Sequence, residues 1–96
     1  MITVKDIIEY SKPRPYGGKQ TRITNGVIEL SIVGGQEGLY GDFVETFEIA
    51  VFDAQTREFV TKFLFSEADD DVMAFVTSEE LEEKVNLLFK GNFQVL

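Results

Sequence analysis

The chain has no cysteine, no histidine and no tryptophan, and only two prolines. Without cysteine there is no disulfide, no thiolate metal site and no cysteine nucleophile. Without histidine the usual general base and the commonest metal ligand are missing. Any base would have to be Asp, Glu, Lys or Tyr. Ser11, Ser31, Ser66 and Ser78 have no identifiable activating neighbour, and nothing marks a buried carboxylate pair of the kind hydrolases use. The expectation is a protein that is not an enzyme and needs no cofactor. No apolar run approaches the ~20 residues that span a bilayer. The start, Met-Ile-Thr-Val-Lys-Asp, has neither the basic opening nor the long apolar stretch of a signal peptide. No membrane association and a cytoplasmic location are expected, and the lack of cysteine suits that reducing compartment.

What the chain does contain is apolar bulk. Hydrophobic residues make up 44 % of its 96 positions, with nine Phe and three Tyr. That is enough for one small domain over residues 1–96, near the lower limit of what folds without covalent staples.

Local signals divide the chain into elements. Thr3 and Asp6 form a capping-box pattern with Ile2 placed to staple onto Ile7, which predicts a helix over 3–11 burying Val4, Ile7 and Ile8. Two prolines and two glycines within 12–19 predict a basic loop. Asn25-Gly26 between β-type runs predicts a two-residue hairpin turn, with Arg22 opposite Glu29, Ile23 opposite Ile28, and Ile28, Leu30 and Ile32 towards the core. Glycines 34, 35, 38 and 41 mark a loop over 34–42. Alternating Phe43, Phe47, Ile49 and Val51, then Phe59, Phe63 and Phe65, predict a second hairpin closed by Asp53 and Arg57. Its favoured register sets Phe47 against Phe63 and Val51 against Phe59. A short strand over 71–76 leads to a second capping box, Thr77 with Glu80, and a helix over 78–90 with the stripe Leu81, Val85, Leu88 and Phe89, ended by Gly91. Residues 92–96 could add an edge strand. The fold class expected is α+β: a largely antiparallel sheet of four to six strands, made of two hairpins plus short strands, with a short N-terminal helix and a C-terminal amphipathic helix.

Charge is the most uneven property of the chain. Eight of the seventeen acidic residues fall in the stretch 67–83, which has no Lys or Arg: Glu67, Asp69, Asp70, Asp71, Glu79, Glu80, Glu82 and Glu83. The first 22 residues carry a net +3 and the remaining 74 a net −11. Acids in a first helical turn are favoured by the helix dipole by ~0.3–1 kcal/mol each, which gives part of this stretch a purely structural reading. The functional reading is a surface for a basic protein partner. Ordered carboxylates can stand in for nucleic-acid phosphates, spaced at one charge per roughly 1.7 Å of duplex axis. The partner would then be a basic, nucleic-acid-binding protein such as an enzyme. The net charge of −8 argues against direct contact with nucleic acid.

Other patterns carry less. Glu67, Asp69, Asp70 and Asp71 have calcium- or magnesium-type oxygens, but the twelve-residue calcium loop is absent and no metal site is expected. The glycines at 34–41 match neither the P-loop nor the dinucleotide fingerprint. Tyr40 and Phe43 beside Glu37 and Asp42 make that loop a possible contact surface. The basic segment 12–22, with its Pro-x-Pro and Tyr16, could meet an acidic partner or a proline-binding domain.

The second hairpin has apolar groups on both faces, and one C-terminal helix covers one side only. Phe52, Val60 and Leu64 then need another cover, either the N-terminal helix or a second chain. They are the candidate self-association residues of a possible homodimer. Two function classes follow: a non-enzymatic acidic binding protein that blocks a basic, nucleic-acid-handling partner, or a small self-associating structural or assembly subunit. In size, acidity and lack of catalytic residues the chain resembles, in kind, small phage-encoded inhibitors of host enzymes, some of which mimic DNA. That likeness covers no motif.

Overall fold

The chain runs through α1 (Val4–Glu9), β1 (Lys12–Pro13), β2 (Lys19–Thr24), β3 (Ile28–Gly34), β4 (Thr46–Asp53), α2 (Thr61–Leu64), β5 (Met73–Thr77), α3 (Ser78–Phe89) and β6 (Gln94–Val95). These bounds come from a computed structural model that describes residues 1–36, 39–68 and 70–96. The strands form one antiparallel sheet in the order β1-β2-β3-β4-β5, and β6 also pairs with β2. Lys12 lies opposite Gln20 and Val95 opposite Ile23, so β1 and β6 divide the length of β2 between them. The α+β class, the antiparallel sheet and the two flanking helices agree with the sequence expectation.

Both capping boxes form. Thr3 and Asp6 exchange side-chain and backbone hydrogen bonds at the start of α1, and Thr77 and Glu80 do the same at the start of α3. These boxes satisfy backbone donors that a helix start otherwise leaves free. At the far end of α3 the left-handed cap falls on Lys90, at φ 48°, one residue before Gly91.

The helices share one face of the sheet. The Thr21 hydroxyl, fully buried, donates to the Ile7 carbonyl at 2.6 Å. Asn86 of α3 brackets Ile2, accepting its N–H and donating to its carbonyl, both at 2.9 Å, and Glu82 accepts the Val4 N–H at 2.8 Å. One apolar cluster results, joining Ile7, Ile23, Leu30, Ile32, Phe47, Ile49, Val51, Leu81, Val85 and Phe89. Each side chain of this size contributes ~1.5–3 kcal/mol on burial. The N-terminal helix therefore does not cover the second face, contrary to one of the two covers considered. That face carries the cross-strand rows Gln20–Val33–Glu48, Arg22–Ser31–Ala50 and Thr24–Glu29–Phe52. Its short central side chains, Ser31 and Ala50, are shielded between longer neighbours, and Gln20 donates to the Ser31 hydroxyl at 2.9 Å.

Two registers differ from expectation. In the first hairpin Ile23 pairs with Leu30 and Thr24 with Glu29. The Asn25 side chain accepts the N–H groups of Val27 and Ile28, and the Thr24 hydroxyl donates to the Ile28 carbonyl, so side-chain bonds widen the turn by two residues. A shift of two preserves the faces. Leu30 and Ile32 remain in the core, and Arg22 still reaches Glu29, now diagonally, at 2.8 Å.

The second expected hairpin is replaced. Asp53 and Arg57 do close a turn, but Arg57 takes φ 64° and the Asp53 N–H donates to Glu58, which slips the pairing by one residue. Phe59 bridges Phe52 rather than Val51, and residues 61–64 turn into α2 instead of continuing as strand. Thr61, fully buried, accepts the Val51 N–H at 2.9 Å and donates to the Asp71 carbonyl at 2.6 Å, supplying by side chain what a strand would supply by backbone. The edge of β4 thus vacated pairs with β5. Phe65 reaches the core, whereas Phe63 is 88 % exposed.

Candidate functional site

Strand order sorts the charge. Lys12 and Lys19 lie on β1 and β2 at one edge of the sheet, and β5, flanked by Asp70, Asp71 and Glu79, forms the other. The eight acidic residues singled out in the sequence do different work in the fold. Glu67 pairs with Lys84 at 2.7 Å, and that ammonium also sits 4.6 Å from the Phe65 ring centre. The Lys84 hydrogen bond holds the Glu67 carboxyl below its ordinary value. Glu80 belongs to the capping box and Glu82 anchors the N-terminus of α1. Asp70 accepts the N–H of Asp71. Asp71, Glu79 and Glu83 are exposed, and their carboxylates take part in none of the ion pairs among the described residues. Asp69 lies outside the described residues.

The loop joining β3 to β4 stands beside this acidic edge. Glu37, expected to take part in a contact surface there, and Gly38 lie outside the described residues; the remainder is held tightly. One Asp42 carboxylate oxygen accepts the N–H groups of Val44, Glu45 and Thr46 at 2.8–3.0 Å. The Thr46, Glu45 and Val44 donors lower the Asp42 carboxyl to about 2. Gly41 packs so closely on Phe47 that a Cβ there would meet its backbone at 2.7 Å. Phe43 takes φ 61°, is buried, and meets Phe47 edge-on at 5.3 Å.

An aromatic pair joins this loop to the edge strand. Between Phe47 and Ile49 the β4–β5 register shifts, because β5 carries an extra residue there. Phe75 occupies this bulge at φ 52° and is 61 % exposed. Its N–H donates to the Tyr40 carbonyl at 2.8 Å, and the two rings lie 5.9 Å apart. Shallow depressions flank the pair, one reaching Asp42 and Thr46 and the other Glu67 and Asp70. The sequence pointed to Tyr40 as part of a contact loop but not to Phe75. The available signal was the spacing of Met73 and Val76: two buried residues three apart break the alternation of a regular strand.

The opposite face holds a second charged cluster. Glu29, 4 % exposed, accepts from Arg22 and, through both carboxylate oxygens, from Arg57 at 2.6 and 3.3 Å. Burial works against its ionised form, but the two arginines outweigh it and keep the carboxyl below its ordinary value. Arg57 also lies over the Phe52 ring, which stacks on Phe59 at 4.6 Å. Of the three self-association candidates, Phe52 and Val60 are half-buried and Leu64 is exposed.

Among the described residues no three carboxylates converge on a point where a metal ion could be held. Among them, too, no helix is long and apolar enough to cross a membrane. Comparison of the chain with family models, with curated proteins and with solved structures finds no match.

Proposed function

We propose that the chain is a non-enzymatic binding protein whose acidic edge occupies the nucleic-acid-binding surface of a basic partner, as an inhibitor that mimics DNA does. The observation that carries this reading is the set Asp70, Asp71, Glu79 and Glu83. Asp70 and Asp71 precede the edge strand β5 and Glu79 and Glu83 follow it on α3, and all four are exposed and outside every ion pair of the described residues. We take the site of action to be the cytoplasm, where such partners meet nucleic acid, and a phage or other mobile element to be a fitting source. The test is affinity purification from the native cell with the parent and with a variant reversing those four residues to Lys. A nucleic-acid-handling protein held by the parent, released by salt and lost by the variant is the expected result. Salt should act strongly because exposed charges are screened within ~8 Å at physiological ionic strength. Equal capture by both proteins would end the reading.

A second reading, self-association, rests on a different patch. Phe63 is 88 % exposed and Phe59 and Leu64 are each 42 % exposed on one short segment. A two-fold contact there would cover all three. Phe63→Glu is a cleaner probe than Phe52→Glu, because Phe52 already stacks on Phe59 and carries Arg57. Sedimentation equilibrium should then show a parent dimer converted to monomer; a parent that is monomeric at high concentration rules the dimer out.

A further inference from the structure

Phe75 and Tyr40 form the most prominent aromatic surface on the acidic edge. Both residues are half or more exposed, at 61 % and 50 %. They are held in place before any partner arrives, by the Phe75 N–H bond to Tyr40, the Tyr40 N–H bond to Glu48 and the turn around Asp42. Rigid aromatic side chains surrounded by polar groups are the usual anatomy of an interface hot spot. The charge of the surroundings selects the occupant. The depressions beside the pair are lined by Asp42 on one side and by Asp70 on the other, where Glu67 is already paired with Lys84, and neither lining includes Lys or Arg.

We propose that Tyr40 and Phe75 anchor an arginine-bearing polypeptide segment, its guanidinium lying over the rings and its N–H groups directed at Asp42 or Asp70. Arginine fits better than lysine because its planar group stacks on aromatic faces while donating in a fork that matches a carboxylate. A cationic polypeptide fits better than a second copy of this chain, whose net charge of −8 would be brought against the same acidic edge. This inference rests on the basic-partner reading and adds the residues at its centre.

The test uses fluorescein-labelled oligo-arginine and oligo-lysine peptides of equal length, titrated with the intact protein at low salt and followed by anisotropy. The parent should bind oligo-arginine about 2- to 5-fold more tightly, because the planar guanidinium stacks on exposed rings and donates in a fork where the ammonium makes only a point contact. Phe75→Gly combined with Tyr40→Ala should reduce that ratio to near one. Asp71→Asn combined with Glu79→Gln, at carboxylates outside the proposed fork, should weaken both peptides and leave the ratio standing. Phe75→Gly has a further advantage: glycine adopts φ 52° without strain and suits a β-bulge, so thermal stability should hold or rise while the preference disappears. Equal affinity of the parent for the two peptides, or a ratio unchanged by Phe75→Gly with Tyr40→Ala, overturns the anchor and leaves the basic-partner reading intact. Failure of the parent to bind either peptide overturns both. A parent that self-associates in sedimentation, and loses this on Phe75→Gly, assigns the rings to a second copy instead.

Discussion

Glu29 and Glu79 are the same residue type used in opposite ways. Glu29 sits near the middle of the sheet, almost fully covered, with two guanidiniums bonded to it. Glu79 stands in the first turn of α3, exposed, with no ion-pair partner among the described residues. A carboxylate enclosed by partners fixes the geometry of the segments that supply them; here Arg57 fastens the turn after β4 to β3. A carboxylate in water fixes nothing and remains available. The difference teaches that the net charge of a chain is a poor guide to its electrostatics until paired and unpaired groups are separated. Of the acidic stretch, Glu67, Glu80 and Glu82 belong with Glu29, and Asp71, Glu79 and Glu83 do not.

The largest effect is expected at Glu29. Glu29→Ala removes charge-assisted bonds from two arginines and leaves a void between Arg22, Thr24 and Phe52. Loss of a partner from a deeply buried ion pair costs ~3–5 kcal/mol. Both arginines here are half-exposed and can turn to water, so about 2–3 kcal/mol is expected, measured by urea denaturation. For a domain of this size that lowers Tm by roughly 10–20 °C. An effect below that of an ordinary surface substitution would place Glu29 with the unpaired group.

A smaller loss is expected at Glu82, whose bond to the Val4 N–H ties α1 to α3. Glu82→Ala should cost about 1 kcal/mol, the typical worth of one such bond. Glu82→Gln keeps an acceptor oxygen and should recover most of it. Equal losses in the two variants would show that charge, rather than the hydrogen bond, is what matters there.

How far this division could be read from the sequence depends on separation along the chain. The two capping boxes were legible because partner and cap lie three residues apart. The Arg22–Glu29 pair was legible because the Asn-Gly signal brings those residues together, and it survived a register error because the error was an even number. Arg57, 28 residues from Glu29, was not legible. Nor was the turn of 61–64 into helix: the Phe59, Phe63, Phe65 spacing reads as strand, and only the tertiary bonds of Thr61 decide otherwise. Tyr40 and Phe75 meet through a long loop and a bulge, neither of which has a local signature strong enough to place two rings together.

Asp42 sharpens the comparison by pH. It lies on the surface like Glu79, yet three backbone N–H groups occupy one of its oxygens, as partners occupy Glu29. Its carboxyl is lowered from 3.8 to about 2 in the fold. A group with a depressed folded pKa stabilises fully above its unfolded value and loses that contribution as pH falls through the folded one. Part of the acid destabilisation between pH ~4 and ~2 should therefore come from Asp42, and Asp42→Asn should show a shallower stability slope across that window. A carbon-detected NMR titration of the Asp42 carboxyl should give a midpoint near the low end of the window; an ordinary midpoint would put Asp42 with the free carboxylates.

The smallest effect is expected where the charge is most concentrated. Neutralising Asp70, Asp71, Glu79 and Glu83 to Asn or Gln removes four negative charges, and for each the stability change should be within about 0.5 kcal/mol. Two small terms oppose one another. Glu79 in the first turn of α3 gains ~0.3–1 kcal/mol from the helix dipole at low salt, which the variant gives up. Mutual repulsion along the acidic edge is relieved by the same change, and that relief is also largest at low salt. Glu80 is left in place because its carboxylate completes the capping box. Urea denaturation of parent and variant in low and high salt reads both terms together. Near-equal stability in both salts, beside the large loss at Glu29→Ala, would separate the carboxylates that hold the fold from those the fold holds out to solvent. A loss of several kcal/mol would mean that the exposed set is structural after all, and the basic-partner reading would lose the observation that carries it.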